Sequence, residues 1–317
     1  MNRSFRILTL CLLLALSGTA HAQKFIFTPQ WTAQAQFAGY YVAYEQGFYR
    51  DAGLDVEIVH PSLTQSALNL IRDGECHATT LQLCEAMVII DSGVPLVNIL
   101  QTSMNNGLAL VSRKDEDPTH QKGIRVATWS AGFDQMAICL SSKEKLDYQW
   151  IPVRSGVNLF ISGALDATLT MSYNELFQLM QAGVPITDKN VYRFCDHGYN
   201  VQEDGVYMSR DYYASHKEQA LKFAEASRKG WEWAAEHPEE TLDIVMDYVQ
   251  KNHIATNRVL QKLMLQEILR LQMDPDSGRR EFRLRPDMVD LASSLMLENQ
   301  LILKKVSYNT LIDRPDE

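Results

Sequence analysis

Apolar and polar positions along residues 24–59 follow a pattern whose period changes twice. Lys24-Phe25-Ile26-Phe27-Thr28 is a short apolar run stopped by Pro29, and such a run bounded by a turn residue reads as a strand. Phe37, Tyr41, Tyr44 and Phe48 then recur at three- to four-residue steps, the spacing of one helix face, and Gly47 stands where a left-handed cap would stop that helix. Asp51-Ala52-Gly53 turns the chain, after which Leu54, Val56 and Ile58 alternate with Asp55 and Glu57 as in a strand. Strand, polar loop, helix and strand make a βαβ unit, which predicts a parallel sheet.

The alternation continues downstream. Ala67, Leu68 and Ile71 have helical spacing and end at Asp73-Gly74, His77 to Leu81 is strand-like, Leu83 to Ile90 helical, and Val97 to Leu100 a strand. Sheets wound in this way bind ligands beyond the carboxyl ends of their strands. Leu108 to Ser112 reads as a fourth strand of the same unit, and the charged, proline-containing stretch Arg113 to Gly123 marks a boundary. A second series follows: strands at Arg125 to Thr128, Tyr148 to Val153 and Asp166 to Met171, with helices near Val157 to Ser162 and from Asn174 to Met180, the last ended by Gly183. From His216 onward the chain is helical. Ala220, Phe223, Ala224, Ser227, Trp231 and Ala234 form one stripe in which Gly230 lets a neighbour approach, and Pro238 opens the next helix. Leu260 to Leu271 and Met288 to Leu297 are amphipathic helices, expected to brace the first unit from outside.

Composition narrows the class of protein. The 317 residues suit about two domains. The formal charge of −9 and the lack of a basic stripe argue against a nucleic-acid partner. Residues 1–22 carry Arg3 and Arg6, the apolar run Ile7 to Leu16 and Ala20-His21-Ala22, the layout of a cleavable secretory signal peptide, so a periplasmic location is expected. Of five cysteines, Cys76, Cys84, Cys139 and Cys195 lie beyond that segment. Three disulfide pairings are open to them, while the apolar setting of Cys84 favours buried free thiols, and Cys76-His77 matches no tight zinc spacing. No G-x-S-x-G, H-E-x-x-H or phosphate-cradling loop is present, so no catalytic residues, metal or cofactor are assigned.

The phrase FAGYYVAYEQGFYRDAGLDVEI, residues 37–58, resembles the opening of periplasmic solute-binding proteins of the thiamine-precursor type, relatives of those for alkanesulfonates, nitrate and riboflavin. The resemblance implies an α/β clamshell of the type II periplasmic-binding-protein kind, with two doubly wound lobes joined by a two-segment hinge and extra C-terminal helices. Residues 23–112 and 206–317 would form lobe 1 and residues 113–205 lobe 2, with Val206 to Ser209 as the strand returning to the first lobe. It further implies a monomer that binds a small planar heterocycle, a thiamine-precursor pyrimidine foremost, and hands it to an inner-membrane ABC transporter permease. Two other uses of the fold remain open: a ligand sensor for a membrane kinase, and a binder of riboflavin or a sulfonate. The fold is also used by a yeast pyrimidine synthase that consumes its own active-site histidine. Here Phe37 stands at that place and the synthase's cysteine-rich run is absent, which argues against enzyme activity.

In such a clamshell the ligand side is made by the loops after strands. Trp31, Gln34, Gln36 and Phe37 follow the first strand and offer a flat ring and amide edges; Tyr40 lies on another helix face that reaches toward the cleft. Gln82 opens a helix with free N–H groups. Trp129, Ser130, Gly132 and Phe133 hold the matching place in the second lobe, and Tyr173, Asn174 and Glu175 form a polar cluster there. In the family resembled, a glutamate after the strand that follows a GALDA-type phrase contacts the pyrimidine amine. The phrase is Gly163 to Ala167 here, and Glu175 takes that place. Asp204, at the return to the first lobe, is a second candidate carboxylate.

Overall fold

A computed structural model describes residues 24–62, 65–129 and 133–312. The segment read as a signal peptide and the site candidates Ser130 and Gly132 lie outside the described residues. The strands are β1 (Lys24–Thr28), β2 (Asp55–Ile58), β3 (Ala78–Gln82), β4 (Leu96–Gln101), β5 (Leu108–Ser112), β6 (Arg125–Trp129), β7 (Gln149–Val153), β8 (Ala167–Met171), β9 (Val191–Arg193) and β10 (Asp204–Ser209). The helices are α1 (Ala38–Glu45), α2 (Phe48–Asp51), α3 (Ala67–Arg72), α4 (Leu83–Asp91), α5 (Gln135–Lys143), α6 (Asn158–Ile161), α7 (Glu175–Gln181), α8 (Arg210–Ser215), α9 (Lys217–Glu236), α10 (Pro238–Lys251), α11 (Arg258–Leu271), α12 (Pro286–Glu298) and α13 (Tyr308–Leu311).

The strands form two sheets of five, ordered β2-β1-β3-β10-β4 and β7-β6-β8-β5-β9. Both orders follow one rule. In each lobe β1 or β6 pairs in parallel with its two neighbours, and the fourth strand runs antiparallel. That fourth strand is the one by which the chain arrives from the other lobe: β10 in the first sheet, β5 in the second. Central strands are buried on both faces, as all five residues of β3, β5 and β8 are, which is why they read as continuous apolar or threonine-rich runs.

The expected lobe boundary moves accordingly. Leu108 to Ser112 pairs with β8 and β9 and so belongs to the second lobe, because the run's apolar character could not tell which sheet it completes. The crossings are residues 102–107 and 198–203, and they are tied together. Thr102 and Ser103 donate their N–H groups to the Asp204 carbonyl at 2.9 and 3.0 Å, and Asn106 N–H reaches Asn200 Oδ1 at 2.8 Å.

The aromatic stripe of the first helix also departs from its reading. The helix stops at Glu45 and restarts as α2 beyond Gly47, whose φ of 78° is left-handed, so a single period cannot run through. Tyr44 is consequently 47% exposed, while Tyr49 turns inward, stacks on Phe223 at 5.1 Å and bonds Ser227 Oγ at 2.8 Å. Helices α1 and α9 touch through glycines. A Cβ on Gly230 would lie 2.1 Å from the Gly39 carbonyl oxygen, and one on Gly39 would lie 2.2 Å from the Trp231 ring.

The C-terminal helices brace both lobes, not the first alone. α11 packs on the Ala35–Phe37 turn of the first lobe and on α7 of the second, and α12 packs on α4 and α5. The carbonyl of Leu271 accepts the N–H groups of Met104 and Asn105 in the first crossing, and Glu267 accepts Ser172 Oγ at 2.7 Å. Among the described residues all four cysteines carry free thiols, with Cys76, Cys84 and Cys139 buried and Cys195 partly so.

Candidate functional site

The carboxyl ends of β1 and β3 face those of β6 and β8 across a narrow cavity of about 30 Å³. From the first lobe it is walled by Gln30, Trp31, Gln34 and Gln36, on the loop after β1, and by Gln82 at the end of β3. The second lobe contributes Trp129, Phe133 and Met171, then Tyr173, Asn174 and Glu175 at the start of α7. The rings meet between the lobes. Phe133 lies edge-on to Trp31 at 6.0 Å and to Trp129 at 6.3 Å, from a backbone φ of 73°. A left-handed φ costs a bulky residue about 1–3 kcal/mol, a strain that collects at ligand clamps.

The polar wiring begins at Asp204. Being acceptor-only when ionised, its carboxylate receives Gln30 Nε2 at 2.9 Å on one oxygen and Gln36 Nε2 at 2.6 Å on the other. Gln36 Oε1 then accepts Gln34 Nε2 at 2.6 Å. With its NH₂ committed, Gln30 presents Oε1, which has no partner although the residue is buried. Across the cavity Glu175 accepts Met171 N–H at 3.0 Å and Asn174 Nδ2 at 3.1 Å. Burial raises its pKa; the Met171 N–H foremost, and the Trp129 and Asn174 side chains, work against that rise. The buried Asp204 carboxyl is likewise raised by burial and held back by Gln36 and Gln30. Burial also pushes Glu85 and Glu203 up to about 8. No lysine, arginine or histidine lines the cavity among the described residues.

Trp31 is held from behind. His60 Nδ1 contacts the Trp31 carbonyl at 2.6 Å and Nε2 contacts Tyr41 Oη at 2.8 Å. Burial pushes the imidazole pKa down to about 4. A neutral ring donates from Nδ1 to the carbonyl and accepts the tyrosine hydroxyl at Nε2.

Nine of the residues singled out by sequence come together here: Trp31, Gln34, Gln36, Gln82, Trp129, Phe133, Tyr173, Asn174 and Glu175. Three do not line the cavity. Phe37 is fully buried and rests on His60, and Tyr40 packs in the core against Phe27 and Trp231 at 4.7 and 5.7 Å, because the Ala35–Phe37 turn points both rings inward. Asp204 lies one layer behind, acting through Gln30 and Gln36. The helix start at Gln82 is also less open than its sequence suggested. Gln82 N–H is taken by Glu85 Oε2 at 3.3 Å and Leu83 N–H by the Glu203 carbonyl at 3.1 Å, leaving the Gln82 side-chain Nε2 as the unpartnered donor. Gln30 and His60 were not singled out. Gln30 adjoins Trp31 in the same polar loop, a signal that was available, whereas the role of His60 depends on a contact 29 residues away.

Two similar lobes with a crossover strand in each, joined by two crossings and meeting at a ring-lined cavity, give a clamshell with the periplasmic-binding-protein fold. The chain belongs to the NMT1/THI5 like family, which it matches over residues 34–241. It is 22% identical to the formylaminopyrimidine-binding protein of Halalkalibacterium halodurans over 77% of this chain and 79% of that one. Its fold is similar to the aliphatic sulphonate binding protein SsuA of Escherichia coli, with a TM-score of 0.66, 13% identity and 94% of both chains covered. The zinc-bound ligand-binding component of an ABC-type import system from Staphylococcus aureus is similar too, with a TM-score of 0.67, 9% identity and coverage of 92% of this chain and 96% of that one. No helix among the described residues is long and apolar enough to cross a membrane.

Proposed function

We propose that this chain captures a small planar aminopyrimidine of the formylaminopyrimidine class in the periplasm and delivers it, chemically unchanged, to the permease of an ABC importer. It would work as a monomer exported by the segment 1–22, with the lobes hinging at residues 102–107 and 198–203. One observation carries the ligand class: a ring-walled cavity whose polar lining is dominated by acceptors. Glu175 and Gln30 Oε1 ask for donors, and Gln82 Nε2 offers one donor in return. An exocyclic amine beside a ring nitrogen meets that pattern. A sulfonate or nitrate would bring negative charge beside buried carboxylates with no basic side chain among the described lining residues, a costly pairing. The formylaminopyrimidine-binding relative supports the same class.

Isothermal titration with formylaminopyrimidine, hydroxymethylpyrimidine, thiamine, riboflavin and taurine tests it. Tight binding of a pyrimidine with no heat from taurine is expected. Tight taurine binding without a pyrimidine response would falsify the ligand class.

A further inference from the structure

The loop from Trp31 to Gln34 carries two of the side chains that wall the cavity, and its backbone is held from outside the site. Gln30 N–H bonds Thr80 Oγ1 at 2.8 Å and Ala35 N–H bonds Gln261 Oε1 at 2.7 Å, which pins the residues on either side of it. Between these pins stand His60, just beyond β2, and Tyr41 of α1. His60 Nδ1 lies 2.6 Å from the Trp31 carbonyl oxygen and Nε2 lies 2.8 Å from Tyr41 Oη, and that hydroxyl is met by the Gln34 backbone N–H. Tyr41 is fully buried and stacks on Tyr248 of α10 at 4.0 Å, so the ring that carries the hydroxyl is fixed. The hydrogens along this chain have one arrangement. A carbonyl only accepts, so Nδ1 carries the ring hydrogen; a neutral imidazole has one, so Nε2 is bare and accepts from Tyr41 Oη. The Tyr41 oxygen then accepts from Gln34 N–H. Three bonds run in one direction, from a backbone donor at Gln34 to a backbone acceptor at Trp31, and burial keeps the ring neutral as they require.

We infer that His60 and Tyr41 are the positioning pair of this cavity: as an Nδ1–H imidazole and the hydroxyl that donates to it, they hold the loop at Trp31 and at Gln34 and so set the Trp31 ring and the Gln34 amide against a bound solute. Neither residue lines the cavity, so both act through the loop. The inference rests on the cavity being the solute site and adds to it two residues that work from behind. A side chain at position 60 that only donates, such as lysine, or only accepts, such as a carboxylate, could not join the carbonyl to the hydroxyl in this way.

Three readouts on the whole chain test it. In nitrogen NMR at neutral pH, wild-type His60 should carry its hydrogen on Nδ1; an Nε2–H ring or an imidazolium would overturn the pair, and this readout decides the matter if a variant does not fold. The Gln34 amide should exchange slowly in wild type and about tenfold faster in Tyr41→Phe while the amides of β1 and β3 stay protected; equal exchange would overturn the pair as well. Titration of formylaminopyrimidine should show Tyr41→Phe weaker by about 2- to 10-fold, the range for one hydrogen bond. His60→Asn, whose amide still donates to the Trp31 carbonyl, should lose a similar factor, and the double variant should be no weaker than either, since each breaks the same link. Losses that multiply, or wild-type affinity in both single variants, would overturn the pair. Failure of wild type to bind the compound would overturn the ligand class alone, because the tautomer and the exchange rates are read without it.

Discussion

Asp204 and Gln36 are hydrogen-bonded at 2.6 Å across 168 residues of chain, joining the first residue of the returning strand to the loop that walls the cavity between the lobes. The bond couples the second crossing to the cavity lining. It also sets the polarity of that lining, since a carboxylate can only accept and the glutamines must turn their NH₂ groups toward it. Asp204→Asn should therefore scramble the amide orientations of Gln30 and Gln36 and weaken ligand binding by about 1–3 kcal/mol with little change in the far-ultraviolet spectrum. Unchanged affinity in a folded variant would remove Asp204 from control of the site.

Glu175 serves both the fold and the proposed ligand. It caps its own turn through Met171 N–H, and it faces the cavity. Glu175→Gln keeps an oxygen for Met171 and replaces the other with an NH₂, so stability should hold while affinity falls by about 1–3 kcal/mol. Paired melting and titration curves separate the two effects.

Trp31 reaches from the first lobe to Phe133 of the second. Trp31→Ala should lose the ring's stacking, about 0.5–1.5 kcal/mol beyond its buried area, and weaken binding with only a small effect on the melt. A titration showing wild-type affinity would place the ligand elsewhere.

Stability should carry two pH-linked contributions of opposite sign. His60 is held near 4 against an ordinary 6.5, so the folded state binds fewer protons; its contribution is complete above about 6.5 and is lost as pH falls toward 4. Glu85 and Glu203, pushed up to about 8 against 4.5, act the other way: their contribution is complete below 4.5 and is lost as pH rises through 8. On these groups alone, in melts from pH 4 to 9, stability should fall as pH rises from about 4.5 to 8, with His60 offsetting part of the fall below 6.5, and Glu203→Gln should flatten that fall. An unchanged slope would mean Glu203 is ionised in the folded state.

Gly230→Ala should destabilise by about 1–3 kcal/mol through overpacking, because the new methyl meets the Gly39 carbonyl oxygen with no flexible atom to yield. Denaturant melts read the change; a wild-type midpoint would mean that α1 and α9 separate at little cost.

Local order in the chain was sufficient for the βαβ series, because strand and helix leave different periods and glycines such as Gly47 and Gly183 mark the turns. It was also sufficient for the loops that carry Trp31, Trp129 and Glu175, since ligand sites in such sheets lie after strand ends. Three matters needed tertiary structure. Leu108–Ser112 reads as a strand wherever it is placed, and only pairing with β8 assigns it to the second lobe. Phe37 and Tyr40 carry rings as good as Trp31's, and only the turn at Ala35–Phe37 directs them into the core. The acceptor character of the cavity comes from Asp204 meeting glutamines that are more than 160 residues distant in the chain. Periodicity records what each residue's neighbours in sequence demand; strand partners and hydrogen-bond polarity are settled between segments that meet only when the chain is folded.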